Sequence, residues 1–441
     1  MLDLCRFGIC ALQSQFPRAL RIRGSLESFA GNLMKEALMN VSESIFRRVQ
    51  LADELADELM SDSRTGMAWS GLFLSAPRRT GKSTFLREDL QPALERRGAL
   101  VLVADLWKNS DVDPGDVIVD TIRQALAANA GVVARMARAV GLERFGFGGF
   151  SFSIGRVGLG KGVALSDALA ELSDRIRRPI ALIIDEAQQC MATRRGNNAM
   201  FALKAARDEL NFAHHGLRII ATGSDHVKLR MLLGSREAFF CATERALPVL
   251  GRDYIEWFRS RHGIPNTLGP DVMMQLFGLA GCRPEVFESA AIAVGRQGLG
   301  GSDAATALES MIDDLMAGIH ASAMRTVDEL PPMDGAIIRV MATSYEMFAG
   351  FSAETMEAYW RVMNRLAPEP SARLDYPEVE RALERLVSLR LVWRSVLGLY
   401  VLEDPTFAEH MRRAGMLEVA KGASGAKLSL VTSTKGDLSV A

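Results

Sequence analysis

The chain has 441 residues, 48% hydrophobic and 24% charged, with a formal net charge of −1. That length allows two or three separate cores, and that balance is ordinary for a soluble globular protein. No apolar run approaches the length of a membrane span, which excludes a helical membrane protein, while a neutral total decides nothing about nucleic acid.

Residues 25–61 read as helical, with Phe29, Leu33, Ala37, Ile45, Val49, Leu51, Leu55 and Leu59 near helical spacing. Asp3 and Arg6 interrupt the apolar N-terminus and no basic leader precedes it, so a signal peptide is rejected. Cys5, Cys10, Cys190, Cys241 and Cys282 are scattered without metal-ligand spacing. An odd, dispersed set reads as reduced thiols and a cytoplasmic location.

The most informative stretch is 71–84. An apolar run from Gly71 to Ser75 leads into Ala76, Pro77, Arg78, Arg79, Thr80, Gly81, Lys82, Ser83 and Thr84, with a helical pattern after it. This is the layout of a phosphate-binding loop, in which backbone N–H groups, one lysine and a helix N-terminus meet the charge of a nucleotide. Gly81 lets the backbone wrap the β-phosphate, Lys82 reaches the β/γ oxygens and Ser83 is placed to bind Mg²⁺. Ala76 stands where the motif usually has its first glycine.

A second strand is expected over 99–107 and a helix over 114–128. Residues 145–162 alternate large apolar residues with Gly and Ser, which predicts a β-hairpin insertion, or else an exposed loop that contacts DNA or a partner through Arg156 and Lys161. The strand 179–184 then runs into Asp185 and Glu186, a helix covers 197–213, and a further strand spans 217–222. Strands alternating with helices imply a parallel sheet covered on both faces. A parallel strand presents its C-terminal end to the ligand crevice. Asp185 there would hold Mg²⁺, mostly through water, and Glu186 would polarise the attacking water. Thr222, with Ser224 as second choice, would sense the γ-phosphate from the next strand end. The residues His214, His215 and His226 lack partners at metal-ligand spacing.

Together the loop 76–83, the strand end 184–188 with its Asp185-Glu186-x-Gln188 pattern and the strand end 220–224 resemble AAA+ ATPases, in particular the prokaryotic archaeal-type branch. The resemblance implies an α/β fold: a P-loop three-layer αβα core with a parallel sheet, then a helical lid and a winged helix. It implies Mg-dependent ATP hydrolysis, with ATP and Mg²⁺ as the bound groups. It also implies a sensor arginine in the lid, for which Arg283 beside Pro284 is the match. An arginine from a neighbouring subunit would complete the site in a homo-oligomer; Arg236 is preferred, with Arg230 and Arg245 as alternatives.

The C-terminal residues resemble a winged helix: helices at 336–342 and 353–366, a recognition helix from Tyr376 to Leu389, and a wing at 391–402. Glu378, Glu380 and Glu384 balance Arg381, Arg385 and Arg390 there, so DNA and a protein partner both stay open as targets. The expected division is 1–60 N-terminal helical segment, 61–250 nucleotide-binding core, 251–325 lid, 326–417 winged-helix-like domain and 418–441 flexible tail. The activity expected is an ATP-driven switch or remodeller acting on DNA or a DNA-associated complex, with a signalling or defence-type NTPase directed at a protein partner as the alternative.

Overall fold

The computed structural model of the chain describes residues 45–108, 111–139, 150, 152–160, 162–234, 242–262, 268–297, 299, 301–343, 348–367, 375–395, 399–404 and 406–417. Met1–Arg47 and Arg48–Ala441 form separate units, and everything below lies in the second. The expected tail, 418–441, and the preferred trans arginine, Arg236, fall outside the described residues, as do residues 1–44 of the N-terminal segment.

Five parallel strands form the central sheet: β1 (Leu72–Ser75), β2 (Leu100–Asp105), β3 (Ile180–Asp185), β4 (Leu217–Gly223) and β5 (Thr243–Ala246), in the order β2-β3-β4-β1-β5. The unbroken apolar runs of β1 and β3 have a simple cause, since both faces of the sheet are covered. Side chains alternate between the faces: Ile180, Leu182 and Ile184 join one core cluster, while Ala181 and Ile183 join another. Helices Pro114–Ala139, Leu165–Ile176 and Arg194–Ala213 cover the first face; Val49–Leu59 and the helical run after the phosphate loop cover the second. This is a three-layer α/β core.

The expected helix at 114–128 extends to Ala139, and the one at 197–213 begins at Arg194, where Thr193 caps it by accepting from the Gly196 N–H. The hairpin expected over 145–162 is corrected. Residues 140–149 lie outside the described set, and the described residues that follow form one 3₁₀ turn, Ile154–Arg156, and an isolated parallel bridge between Val157 and Val163. Phe150 and Val157 are fully buried in the first core cluster, and Arg123 of the 114–139 helix donates to the Val157 carbonyl at 2.9 Å, which ties the segment to the core.

After β5 the chain is helical over Arg252–His262, Pro270–Leu279, Pro284–Gly295 and Gly301–Asp328. Tyr254, Phe258, Phe277 and Phe287 lock three of these helices through ring contacts of 5.2–6.3 Å. Helices Pro332–Thr343, Ala353–Leu366 and Tyr376–Ser388 follow, then an antiparallel pair, β6 (Val392–Arg394) and β7 (Tyr400–Leu402), and a helix Thr406–Arg413. Ser352 and Asp375 cap the second and third of these helices by accepting from the N–H groups of Thr355 and Glu378. The 332–343 helix is buried along its length in a separate core. Its Asp334, 1% exposed, accepts two hydrogen bonds from the Arg385 guanidinium at 2.5 and 2.9 Å. Arg385→Ala would strand that carboxylate, and a loss of about 2–3 kcal/mol in unfolding free energy is expected by denaturant titration. Among the described residues, no helix is long and apolar enough to cross a membrane.

Candidate nucleotide and metal site

Strand order builds this site. β1, β4 and β3 are neighbours and run the same way, so their C-terminal ends meet on one edge of the sheet, with Ser75 opposite Gly223 and Ile184 opposite Ala221. The loop 76–81 leaves β1 at that edge. Ala76 donates its N–H to the Gly223 carbonyl at 3.0 Å, and Thr80 closes the loop by donating to the Pro77 carbonyl at 2.7 Å. Gly81 has φ +86°, a left-handed conformation that only glycine adopts at no steric cost, and the helix begins at the next residue. That helix is α over Lys82–Thr84, π-helical over Phe85–Leu90 and α again over Gln91–Arg96. Pro92 lacks an N–H and its ring crowds the preceding turn, which accounts for the wide turn ahead of it.

Lys82 lies at the centre. Its ammonium, 6% exposed, contacts Asp185 Oδ1, Glu186 Oε1 at 2.8 Å and Thr222 Oγ1 at 3.3 Å. Thr222 donates to Asp185 Oδ1 at 2.6 Å, and Ser83 donates to Asp185 Oδ2 at 2.7 Å. The sequence-named Lys82, Ser83, Asp185, Glu186 and Thr222 are therefore one cluster drawn from three strand ends. Burial alone would push the Asp185 and Glu186 carboxyls up. The charge and hydrogen bonds of Lys82 outweigh it, with help from Thr222 and Ser83 at Asp185 and from Ser224 at Glu186, and both carboxyls are held below their usual range.

Glu186 is held in the left-handed region at φ +60°, a conformation that costs a non-glycine residue about 1–2 kcal/mol. Its Oε2 accepts from Ser224 Oγ at 2.7 Å and from Gln188 Nε2 at 2.6 Å. Gly223 makes room for this: a Cβ there would meet Gln188 Oε1 at 2.7 Å. Gln188 was visible in the sequence beside the acid pair, but nothing in its type or spacing assigned it a contact. Ser224, the second choice for a γ-phosphate sensor, touches Glu186 rather than Lys82.

The donor set fits a hard divalent cation. Ser83 Oγ and Asp185 Oδ2 are hydroxyl and carboxylate oxygens already side by side at the loop, and such ions take oxygen ligands and keep several waters. Pro77 and Arg79 shape the loop, and Arg79 donates to Glu285 at 2.6 Å, tying it to the 284–295 helix. Thr84 is exposed on the first helical turn. Arg283 is the N-cap of that same 284–295 helix, 3% exposed. Burial pushes its guanidinium pKa down, and the charge of Asp404 opposes this while Arg79 reinforces it. Arg79 feels its charge and bonds Glu285 of the same helix, which puts Arg283 on the side of that helix near the phosphate loop. The two alternatives for a trans arginine are paired within the chain: Arg230 with Glu244 at 3.0 Å, and Arg245, on β5, with Glu58 at 2.9 Å.

No family model and no curated protein matches the chain. Among solved structures it is similar to the Walker-type ATPase PABY2304 of Pyrococcus abyssi, with 17% identity, 84% of this chain and 97% of that chain covered, and a TM-score of 0.48. It is also similar to the Aeropyrum pernix ORC2 protein in its ADP form, at 16% identity, 84% and 95% coverage and a TM-score of 0.42. For the Aeropyrum pernix ORC1 protein in complex with DNA the figures are 16%, 85%, 93% and 0.36. At these identities the reading of the site rests on its own geometry: a phosphate-loop α/β core whose lysine, hydroxyls and two acids converge at three adjacent strand ends.

Proposed function

We propose that the chain binds ATP with Mg²⁺, hydrolyses it, and uses the cycle as an AAA+-type switch or remodeller acting on DNA or a DNA-associated complex. The convergence of Lys82 with Asp185, Glu186 and Thr222 carries the reading. A buried ammonium at the phosphate loop, paired with two carboxylates, can exchange them for phosphate oxygens. In this reading the loop 76–84 cradles the phosphates, Lys82 takes the β/γ oxygens, and Thr222 keeps Asp185 aligned. Ser83 and Asp185 would hold Mg²⁺, which when bound neutralises charge on the phosphates. Glu186 accepts the proton of the attacking water, and Arg283 senses the γ-phosphate from the lid. A homo-oligomer would supply an arginine in trans, with Arg236 the preferred source.

The DNA half of the reading draws on the C-terminal order of three helices, hairpin and helix, which fits a winged helix over 326–417, with Arg381 and Arg390 exposed on or just after its third helix. One observation favours a protein partner instead. Arg385 is engaged by Asp334 and Arg394 lies 3.8 Å from Glu384, while Phe351, Trp360 and Tyr376 are exposed on the same module. Hydrolysis rate measured against double-stranded DNA and salt separates the two. Stimulation of about threefold or more that fades as salt rises is expected, because phosphate contacts release counterions. A rate indifferent to DNA at low salt would move the target to protein.

A further inference from the structure

Both oxygens of the Glu186 carboxylate are engaged. Oε1 faces Lys82 at 2.8 Å, and Oε2 accepts from Ser224 and Gln188. The Ser224 hydroxyl has a single proton, and its oxygen in turn receives Arg78 Nε at 3.4 Å and Gln188 Nε2 at 3.5 Å. Two donors on the oxygen direct that proton to Glu186.

Arg78 does not act alone. Its Nη2 donates to Glu403 Oε1 at 3.1 Å, and its guanidinium lies 5.0 Å from the centre of the Trp107 ring. Glu403 follows directly on β7, 325 residues further along the chain. It is itself fixed: Lys228, 1% exposed, donates to its backbone carbonyl at 3.0 Å, and the same ammonium lies 5.4 Å from the centre of the Trp393 ring on β6. Trp393 and Val401 belong to the core cluster under the sheet, so the hairpin is docked on the nucleotide-binding core. Hydrogen bonds thus run from the C-terminal module to Glu186: Glu403, Arg78, Ser224, Glu186.

We propose that Ser224 and Arg78 are positioning residues that restrain Glu186, and that Glu403 sets the restraint according to whether the C-terminal module is docked. This rests on the reading of Glu186 as the proton acceptor for water. When phosphate oxygens claim Lys82, Oε1 is released but Oε2 stays held by Ser224 and Gln188. A carboxylate so held is not free to turn towards a water. Undocking takes Glu403 from Arg78, Arg78 leaves Ser224, and the hydroxyl proton is free to turn away.

The test is a double-mutant cycle on the full chain with Glu403→Gln, Ser224→Ala and the pair. Both kcat and equilibrium Mg–ATP affinity are read, and affinity also reports that each variant is folded. Glu403→Gln and Ser224→Ala are each expected to raise kcat about fivefold with affinity within about twofold, the scale of one net hydrogen bond. Once Ser224 is alanine, Glu403→Gln adds nothing further. Independent, multiplying effects would overturn the proposal, as would an unchanged or lower kcat, or a change confined to affinity. If Glu186→Gln turns over like the parent, or the parent does not turn over at all, the reading of Glu186 itself has failed and this proposal with it.

Discussion

Lys82→Ala is expected to weaken Mg–ATP binding by about two orders of magnitude or more, since a buried ammonium–phosphate contact is worth about 3 kcal/mol. The variant has a second effect that the structure makes specific. Lys82 is the ammonium facing two consecutive, largely buried acids, Asp185 and Glu186. Without it, desolvation is the larger influence on both carboxyls and their pKa values rise. In the parent both are held low, so their stabilisation is present above the unfolded carboxylate values, about pH 4, and is lost as pH falls through the lowered folded values. The variant loses that contribution at neutral pH. Nucleotide-free parent and variant should therefore differ in thermal unfolding at pH 7, and the gap should close towards pH 3. Equal affinity for ATP in the two proteins would remove Lys82 from the site.

Glu186→Gln separates binding from chemistry. The amide keeps an oxygen for Ser224 but cannot take a proton from water. Turnover should fall by about 10²–10⁴-fold, the usual worth of a positioned general base, with ATP affinity unchanged within about threefold. Turnover within about threefold of the parent would hand the role to another group. A matching fall in affinity would instead mean that Glu186 holds the loop rather than the water.

The legible parts of this site were those fixed by local rules. β1, β3 and β4 read as strands because both their faces are buried, and each ends on the polar residues that a parallel sheet delivers to one edge. Gly81, Lys82 and Ser83 carry their chemistry in their spacing. β5 was not legible: Thr243–Ala246 is a polar, half-exposed edge strand, and polarity is how such edges avoid further pairing. The segment after residue 145 read as a hairpin because its alternation mimics a half-buried strand, whereas Phe150 and Val157 are buried in the first core cluster and the described pairing is one isolated parallel bridge. Least legible were the partners of Glu186. Ser224 and Arg78 meet at the strand ends, Glu403 joins them from the C-terminal hairpin, and no spacing in the sequence records a contact between residues 78 and 403.

The most direct test of the central claim is phosphate release from ATP by the full-length parent, with and without Mg²⁺, with Glu186→Gln prepared in parallel as the blank. Mg-dependent release at least about 100-fold above the blank is the result predicted for a water-activating Glu186 beside a Ser83–Asp185 metal site. Release equal to the blank, in a preparation that still binds ATP, would contradict it and leave a nucleotide-binding scaffold.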